Sequence, residues 1–312
     1  MFLQFELWKQ CSFGCKFCFN RDVPKIRNKI DTMNMALKIL NSKKADEYDE
    51  FGIIGGEFFN GEIDTKEIHD KFYEIIDNFI DKIKQNKAKR CLVTAALMYD
   101  NPKDWFEFCN HIHANKVDNK FLICTSYDFV GRFNEHKLYN WSNIMKETHK
   151  KYPDLMLHVE TITTEVFLES VMNKSFNPKE FEKEYNCHIN YMIPVTSYAK
   201  HSITKYDFNK MLPGFFPKRE IFLNFLQYVY ENGIFDYDEL YNFINIKNHS
   251  DTCYCGDAQD KQIVLQNRHK TENKTSSILT NDDYGYLDSD IHPRVDVENF
   301  LDMIIGNNFR QQ

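Results

Sequence analysis

Residues 2–18 read FLQFELWKQCSFGCKFC, a strand-like segment followed at once by three closely spaced cysteines. Polar and apolar side chains alternate through Phe2 to Trp8, as they do in a β-strand. Three thiolates on one short loop suit zinc or an iron–sulfur cluster. A structural zinc site needs a fourth protein ligand, yet no cysteine lies between Cys18 and Cys91, and the first histidine after the loop is His69. The spacing therefore predicts a metal centre with an open coordination position, and a structural zinc site is the alternative.

The composition is that of an ordinary globular chain. Its 312 residues are 42% hydrophobic and 27% charged, which allows one large domain or two modest ones. No apolar run approaches the roughly 18 residues of a membrane helix, and the first residues lack a signal-peptide pattern, so we expect a cytoplasmic protein with no membrane partner. The net charge of −7 argues against a surface built mainly for nucleic acid.

The nine cysteines divide by their spacing. In a reducing compartment they are not expected to form a disulfide framework, so a tight cluster among them is metal-binding or catalytic. Four single cysteines stand in apolar segments and are predicted to be core residues: Cys91, Cys109, Cys124 and Cys187.

Strand patterns alternate with helix patterns along the chain, which predicts βα units and a parallel sheet. We expect strands near residues 2–8, 51–54, 91–97, 121–125, 155–162 and 188–193. Helices are expected near residues 33–40, 64–83, 102–112, 138–151, 164–172 and 217–232. Asp31 or Thr32 is the predicted N-cap of the first helix, and Asp64 is the predicted N-cap of the second. Pro217 is the predicted first residue of the last helix.

A second motif follows the second predicted strand. The run Phe51 to Ile54 ends in Gly55, Gly56 and Glu57. Glycines at a strand end let the backbone approach a ligand closely, and a carboxylate binds an ammonium group by charge-assisted hydrogen bonds. The alternative is a glycine turn followed by a solvated glutamate.

Together the two motifs resemble those of the radical S-adenosylmethionine (SAM) superfamily, although Phe58 stands where that family often has a proline. The resemblance implies an α/β fold, a partial (β/α)6 TIM-like barrel over residues 1–235. It implies that Cys11, Cys15 and Cys18 hold a [4Fe-4S] cluster whose fourth iron binds SAM. Phe17 would lie beside the adenine of SAM, and Gly55, Gly56 and Glu57 would bind its amino group.

Polar residues also follow the later strands. Ser126, after the fourth strand, resembles a family serine that contacts the carboxylate or ribose of the cofactor, and Arg132 is compared with a family arginine that usually lies further along. Glu160, Thr161 and Thr163 close the fifth strand. For each of these residues a capping or loop role is an equal alternative.

The C-terminal region, residues 236–312, resembles a truncated SPASM or twitch extension, the auxiliary-cluster region of peptide-modifying members. Cys253 and Cys255 carry this likeness, and a structural cysteine pair is the alternative.

The resemblance implies an enzyme that takes an electron from a donor and reductively cleaves SAM. The resulting 5′-deoxyadenosyl radical abstracts hydrogen from a substrate, which we expect to be a peptide or protein side chain. A nucleotide or nucleic-acid base is the alternative substrate, and a non-enzymatic zinc protein is the alternative function.

Overall fold

The first six strands pair in parallel in chain order, each from the second to the sixth with the strand before it. The computed structural model describes residues 2–8, 11–18, 29–192, 210–236, 239–240, 243, 263–264 and 277–278. Within these residues one eight-stranded sheet has the order β6-β5-β4-β3-β2-β1-β7-β8. The strands are β1 Phe2–Glu6, β2 Glu50–Ile54, β3 Arg90–Thr94, β4 Phe121–Ser126, β5 Met156–Ile162, β6 Cys187–Met192, β7 Ile263–Val264 and β8 Ser277–Ile278.

Helices connect the parallel strands. They are α1 Lys29–Leu40, α2 Lys66–Lys84, α3 Lys103–Ala114, α4 Glu135–Lys151, α5 Glu165–Met172, α6 Pro178–Tyr185 and α7 Arg219–Glu231, with short 3₁₀ helices at Lys43–Glu47 and Asp118–Lys120. The α/β fold with a parallel sheet is therefore confirmed. No helix in the described part of the chain is both long enough and apolar enough to cross a membrane.

Several predicted helix starts were wrong. α1 begins at Lys29, so Asp31 and Thr32 lie inside its first turns. α2 is capped by Thr65, whose hydroxyl accepts a hydrogen bond from the Ile68 amide, one residue after the predicted Asp64. α7 begins at Arg219, two residues after Pro217. These caps depend on which side chain reaches the first free amides, which spacing alone does not decide.

The sheet has two differently covered faces. The outer face carries Leu3, Phe5, Ile53 and Val93, which belong to the main core together with apolar residues of the helices. The inner face carries a smaller apolar cluster to which only strands contribute, formed by Phe2, Leu92, Leu122 and Cys124 with Ile54 and Met156 packed against it. Both faces of β1 are buried, so even Gln4 and Glu6 are 1% and 6% exposed.

The single cysteines behave as predicted. Cys91, Cys109 and Cys124 are buried, and Cys187 is half-buried against the main core. The seven described cysteines are all free thiols.

Part of the predicted C-terminal extension joins the main sheet. β7 pairs in parallel with β1 through Phe5 and Ile263, and β8 pairs antiparallel with β7. Cys253, Cys255 and most of residues 236–312 lie outside the described residues. The domain boundary at residue 235 stays a prediction.

Candidate functional site

The cysteine loop begins three residues after Trp8, at the carboxyl end of β1. Cys15 is buried among apolar side chains, while Cys11 and Cys18 are half-buried. The loop turns at Gly14, whose φ of +62° lies in the left-handed region that favours glycine. Burial raises the pKa of Cys11 to about 11, with smaller contributions from the charge of Glu57 and the other two loop cysteines.

The donor chemistry of this loop fits an iron–sulfur or zinc centre, because three free thiols share eight residues. Among the described residues, however, no three His, Cys, Asp or Glu side chains converge closely enough to hold a metal ion. The loop must therefore draw its three sulfurs together to bind one.

The segment between β4 and α4, residues 127–134, holds the cysteine loop in place. The Lys16 amide donates a 2.9 Å hydrogen bond to the Gly131 carbonyl oxygen. The guanidinium carbon of Arg132 lies 5.1 Å from the centre of the Phe17 ring. Gly131 has a φ of +84°, and a Cβ there would lie 3.2 Å from Phe17, so a side chain at this position would press on the loop.

Arg132 is fixed by Asp128, a carboxylate that is 4% exposed. Arg132 Nε donates a 2.5 Å hydrogen bond to Asp128 Oδ2, and the Ile162 amide donates one of 3.1 Å to Oδ1. Burial disfavours the guanidinium charge, but the negative charge of Asp128 and the hydrogen bond to it outweigh burial and raise the pKa of Arg132. A permanent positive charge is thus held near two of the loop cysteines.

Glu57 is a buried acceptor at the centre of its turn, with 1% of its surface exposed. Its Oε1 accepts hydrogen bonds of 2.8 Å and 2.9 Å from the amides of Phe58 and Phe59, and one of 2.7 Å from the Tyr99 hydroxyl. Its Oε2 accepts one of 2.7 Å from the Ala96 amide. Burial raises the pKa of Glu57 against the opposing effect of these four donors. The alternative of a solvated glutamate is therefore wrong.

The Gly55–Gly56 backbone lies against the end of β1. The Gly56 amide donates a 2.8 Å hydrogen bond to the Trp8 carbonyl oxygen, and Trp8 Nε1 donates one of 2.8 Å to the Glu57 carbonyl oxygen. A Cβ on Gly55 would lie 2.3 Å from the Trp8 oxygen, so the close approach that requires glycine here is to the protein's own backbone. Glu57 already accepts four hydrogen bonds, three of them at Oε1, and its carboxylate is buried, so the partly exposed backbone of Gly55 and Gly56 is the accessible part of this motif. The contact of Glu57 with the amino group of SAM stays a prediction.

Ser126 is half-buried at the carboxyl end of β4 and lies in register with Glu160 of β5. Glu160 in turn lies in register with Asn190 of β6. The Thr163 hydroxyl donates a 3.0 Å hydrogen bond to the Met192 carbonyl oxygen, so it has the loop role that was its alternative, and the cap of α5 is Thr164. Thr161 is 1% exposed on the opposite face.

Sequence reasoning missed three residues that shape this region: Tyr99, Gly131 and Lys137, whose ammonium group donates a hydrogen bond to the Phe13 carbonyl oxygen of the cysteine loop. It noted Asp128 after the fourth strand but not its ion pair with Arg132. The spacing of Asp128 and Arg132, four residues apart, is a signal that could have paired them. No sequence signal marks the Ala96 and Tyr99 donors, which lie 39 and 42 residues from Glu57.

Comparisons with known proteins add no relative: no family model matches the sequence, and the search of curated proteins finds no match.

Proposed function

We propose that this chain is a radical SAM enzyme in which Cys11, Cys15 and Cys18 hold a [4Fe-4S] cluster and SAM binds at its open iron. One juxtaposition carries the proposal. The cysteine loop and the Gly55–Glu57 turn follow neighbouring strands, and the hydrogen bonds between Trp8 and residues 56–57 join the two strand ends. The cysteine loop and the Gly55–Glu57 turn, whose backbone is partly exposed at Gly55 and Gly56, thus lie at the same edge of the sheet.

The strand order supports a partial (β/α)6 barrel for residues 1–235. Strands β1 to β6 lie side by side in chain order, as in a singly wound barrel. The connecting helices pack on the face of the sheet that carries Leu3 and Phe5. In barrels the reacting groups gather at the carboxyl ends of the strands, which is where both motifs and Ser126 lie.

When bound, the cluster and SAM would supply one-electron chemistry that generates a radical able to abstract hydrogen from a substrate. The roles of the chain are to bind and to orient. The three thiols lose their protons to become ligands, the Gly55–Gly56 backbone meets the amino end of SAM, and Ser126 meets its carboxylate or ribose. Phe17 covers the adenine, and Arg132 keeps positive charge beside the cluster.

The proposed substrate is a peptide or protein side chain, with a nucleotide or nucleic-acid base as the alternative. A structural zinc site in a non-enzymatic protein is the alternative function, and the same three thiols support it.

Anaerobic purification with iron and sulfide reconstitution tests the function. We expect a brown protein with about four irons per chain that releases 5′-deoxyadenosine from SAM on reduction. Cys15→Ala should lose both properties. Cys109→Ala is the matched control, because Cys109 is buried in α3 away from the loop and its loss should leave the iron content unchanged. A colourless zinc protein, or a Cys15→Ala protein that keeps its iron, would contradict the proposal.

A further inference from the structure

Three polar side chains form a row across the inner face of the sheet. Ser126, Glu160 and Asn190 lie in register on β4, β5 and β6, where neighbouring strands are about 4.8 Å apart. Leu157 and Val159, which alternate with Glu160, are buried against the helices, so Glu160 faces the other way. All three members of the row keep accessible surface. At the β6 edge His188, on the same face, is exposed.

Glu160 has an unpartnered carboxylate on this face. It is half-buried, and within the described part of the chain it has no hydrogen bond and no ion pair. Arg132, whose charge acts on Glu160, is already bonded to Asp128, and both Asp128 oxygens are occupied. Burial and the charge of Asp128 raise the pKa of Glu160 to about 7, against the opposing charge of Arg132.

Its neighbour on the strand adds no positive charge. His158 faces the same side two residues earlier, and burial, followed by the nearby His188, lowers the pKa of its imidazole to about 4. At neutral pH the group formed by Asp128, Arg132 and Glu160 therefore has one negative charge in excess whenever Glu160 is ionised. A half-buried carboxylate without a protein partner keeps its hydrogen-bonding capacity for a ligand, and such groups are characteristic of ligand sites.

We propose that Glu160, flanked by Ser126 and Asn190, is a subsite for a cationic group that donates hydrogen bonds, an amine or a guanidine of the substrate. The carboxylate accepts from the cation, and the Asn190 side-chain oxygen accepts from its remaining hydrogens. The Ser126 oxygen also accepts from the cation, which leaves its hydroxyl hydrogen to donate to the carboxylate or ribose of SAM. The subsite stands on the geometry alone; its assignment to the substrate rests on the proposed function.

Binding of methylguanidinium chloride to the full-length chain tests the subsite. The protein carries glutamate labelled with ¹³C at the carboxyl carbon, and the Glu160 resonance is the one that Glu160→Gln removes. We expect a saturable shift of this resonance at millimolar concentration that neither N-methylurea, the neutral analogue, nor sodium chloride reproduces. Asn190→Ala should weaken binding about fivefold, the effect of one lost hydrogen bond of about 1 kcal/mol. The absence of a saturable shift, or an equal shift with N-methylurea or salt, overturns the subsite.

Two further experiments distinguish a failure of the subsite from a failure of the proposed function. Cys15→Ala should give the same methylguanidinium shift, since the subsite needs no metal, so loss of the cluster and loss of the subsite are distinguishable. In reconstituted wild-type protein SAM and methylguanidinium should bind together. Competition between them would show that the amino group of SAM occupies the subsite and would overturn its assignment to the substrate.

Discussion

Lys137 Nζ donates a 2.6 Å hydrogen bond to the carbonyl oxygen of Phe13, two residues before Cys15. The two residues are 124 positions apart, and Lys137 also lies 5.9 Å from the centre of the Phe13 ring. The first turn of α4 is therefore hydrogen-bonded to the middle of the cysteine loop.

Lys137→Met should loosen this loop, because it removes the ammonium donor and keeps a side chain of similar length. A lost hydrogen bond from a charged group, about 1.5–3 kcal/mol, corresponds to opening that is roughly tenfold more frequent or greater. Cys15 should then react faster with iodoacetamide, as followed by mass spectrometry of the loop peptide. Lys150→Met, on an exposed position of the same helix, is the control. Equal Cys15 reactivity in the wild type and Lys137→Met would mean that Lys137 does not restrain the loop.

Asp128→Ala should destabilise the protein strongly, because it leaves the Arg132 guanidinium buried without its partner and frees the Ile162 amide. We expect a loss of roughly 3–5 kcal/mol in the free energy of unfolding, the usual effect of breaking a buried pair. Urea denaturation measures it. Asp70→Ala breaks an exposed pair with Lys66 on α2 and should leave the midpoint unchanged. Similar midpoints for the two variants would rule out a structural role for the Asp128–Arg132 pair.

Gly55→Ala should be poorly tolerated, because its Cβ would meet the Trp8 carbonyl oxygen rather than a movable side chain. We expect a loss of about 2–4 kcal/mol and a lower thermal midpoint. Gly61→Ala is the control: its φ is +71° but its surroundings are open, so the expected loss is about 1 kcal/mol. If Gly61→Ala proved the more harmful, the close packing of the two strand ends would be wrong.

Glu160→Gln should stabilise the protein at pH 8 and have little effect at pH 4.5. The pKa of Glu160 is raised in the folded chain to about 7, so between its unfolded value and pH 7 the folded state binds more protons. Stability therefore falls as pH rises through this interval, and glutamine removes the loss. We expect a gain on the order of 1–3 kcal/mol at pH 8 by urea denaturation. A gain of the same size at pH 4.5 would show that the cause is not ionisation of Glu160.

The sheet could be predicted because its signals are local. Alternating and apolar runs of four to seven residues placed β1 to β5 within a few residues of their bounds. Helix α6 was missed although Asn177, its cap, and Pro178, its first residue, carry the ordinary start signal. α5 has the same length and was predicted, but beyond Pro178 α6 carries only two apolar side chains, Phe181 and Tyr185, too few to form a recognisable stripe.

The site was only half predictable. The position of the loop with Cys11, Cys15 and Cys18 follows from their spacing. The burial and the hydrogen bonds of the Glu57 carboxylate do not follow from the sequence. Its donors include Ala96 and Tyr99 from the end of β3, and only the folded sheet brings them to the turn. A carboxylate that faces a ligand and one that closes a turn look identical in sequence.

The position of β1 inside the sheet has a consequence for how the protein is made. β1 has β2 on one side, but its other neighbour is β7, which pairs with it at Phe5 and Ile263. At about 5–20 residues per second on the ribosome, roughly 250 residues of synthesis leave that edge bare for more than about ten seconds. An unpaired edge invites aggregation. During the same interval the cysteine loop, which follows β1, lies beside a strand edge that β7 has not yet covered.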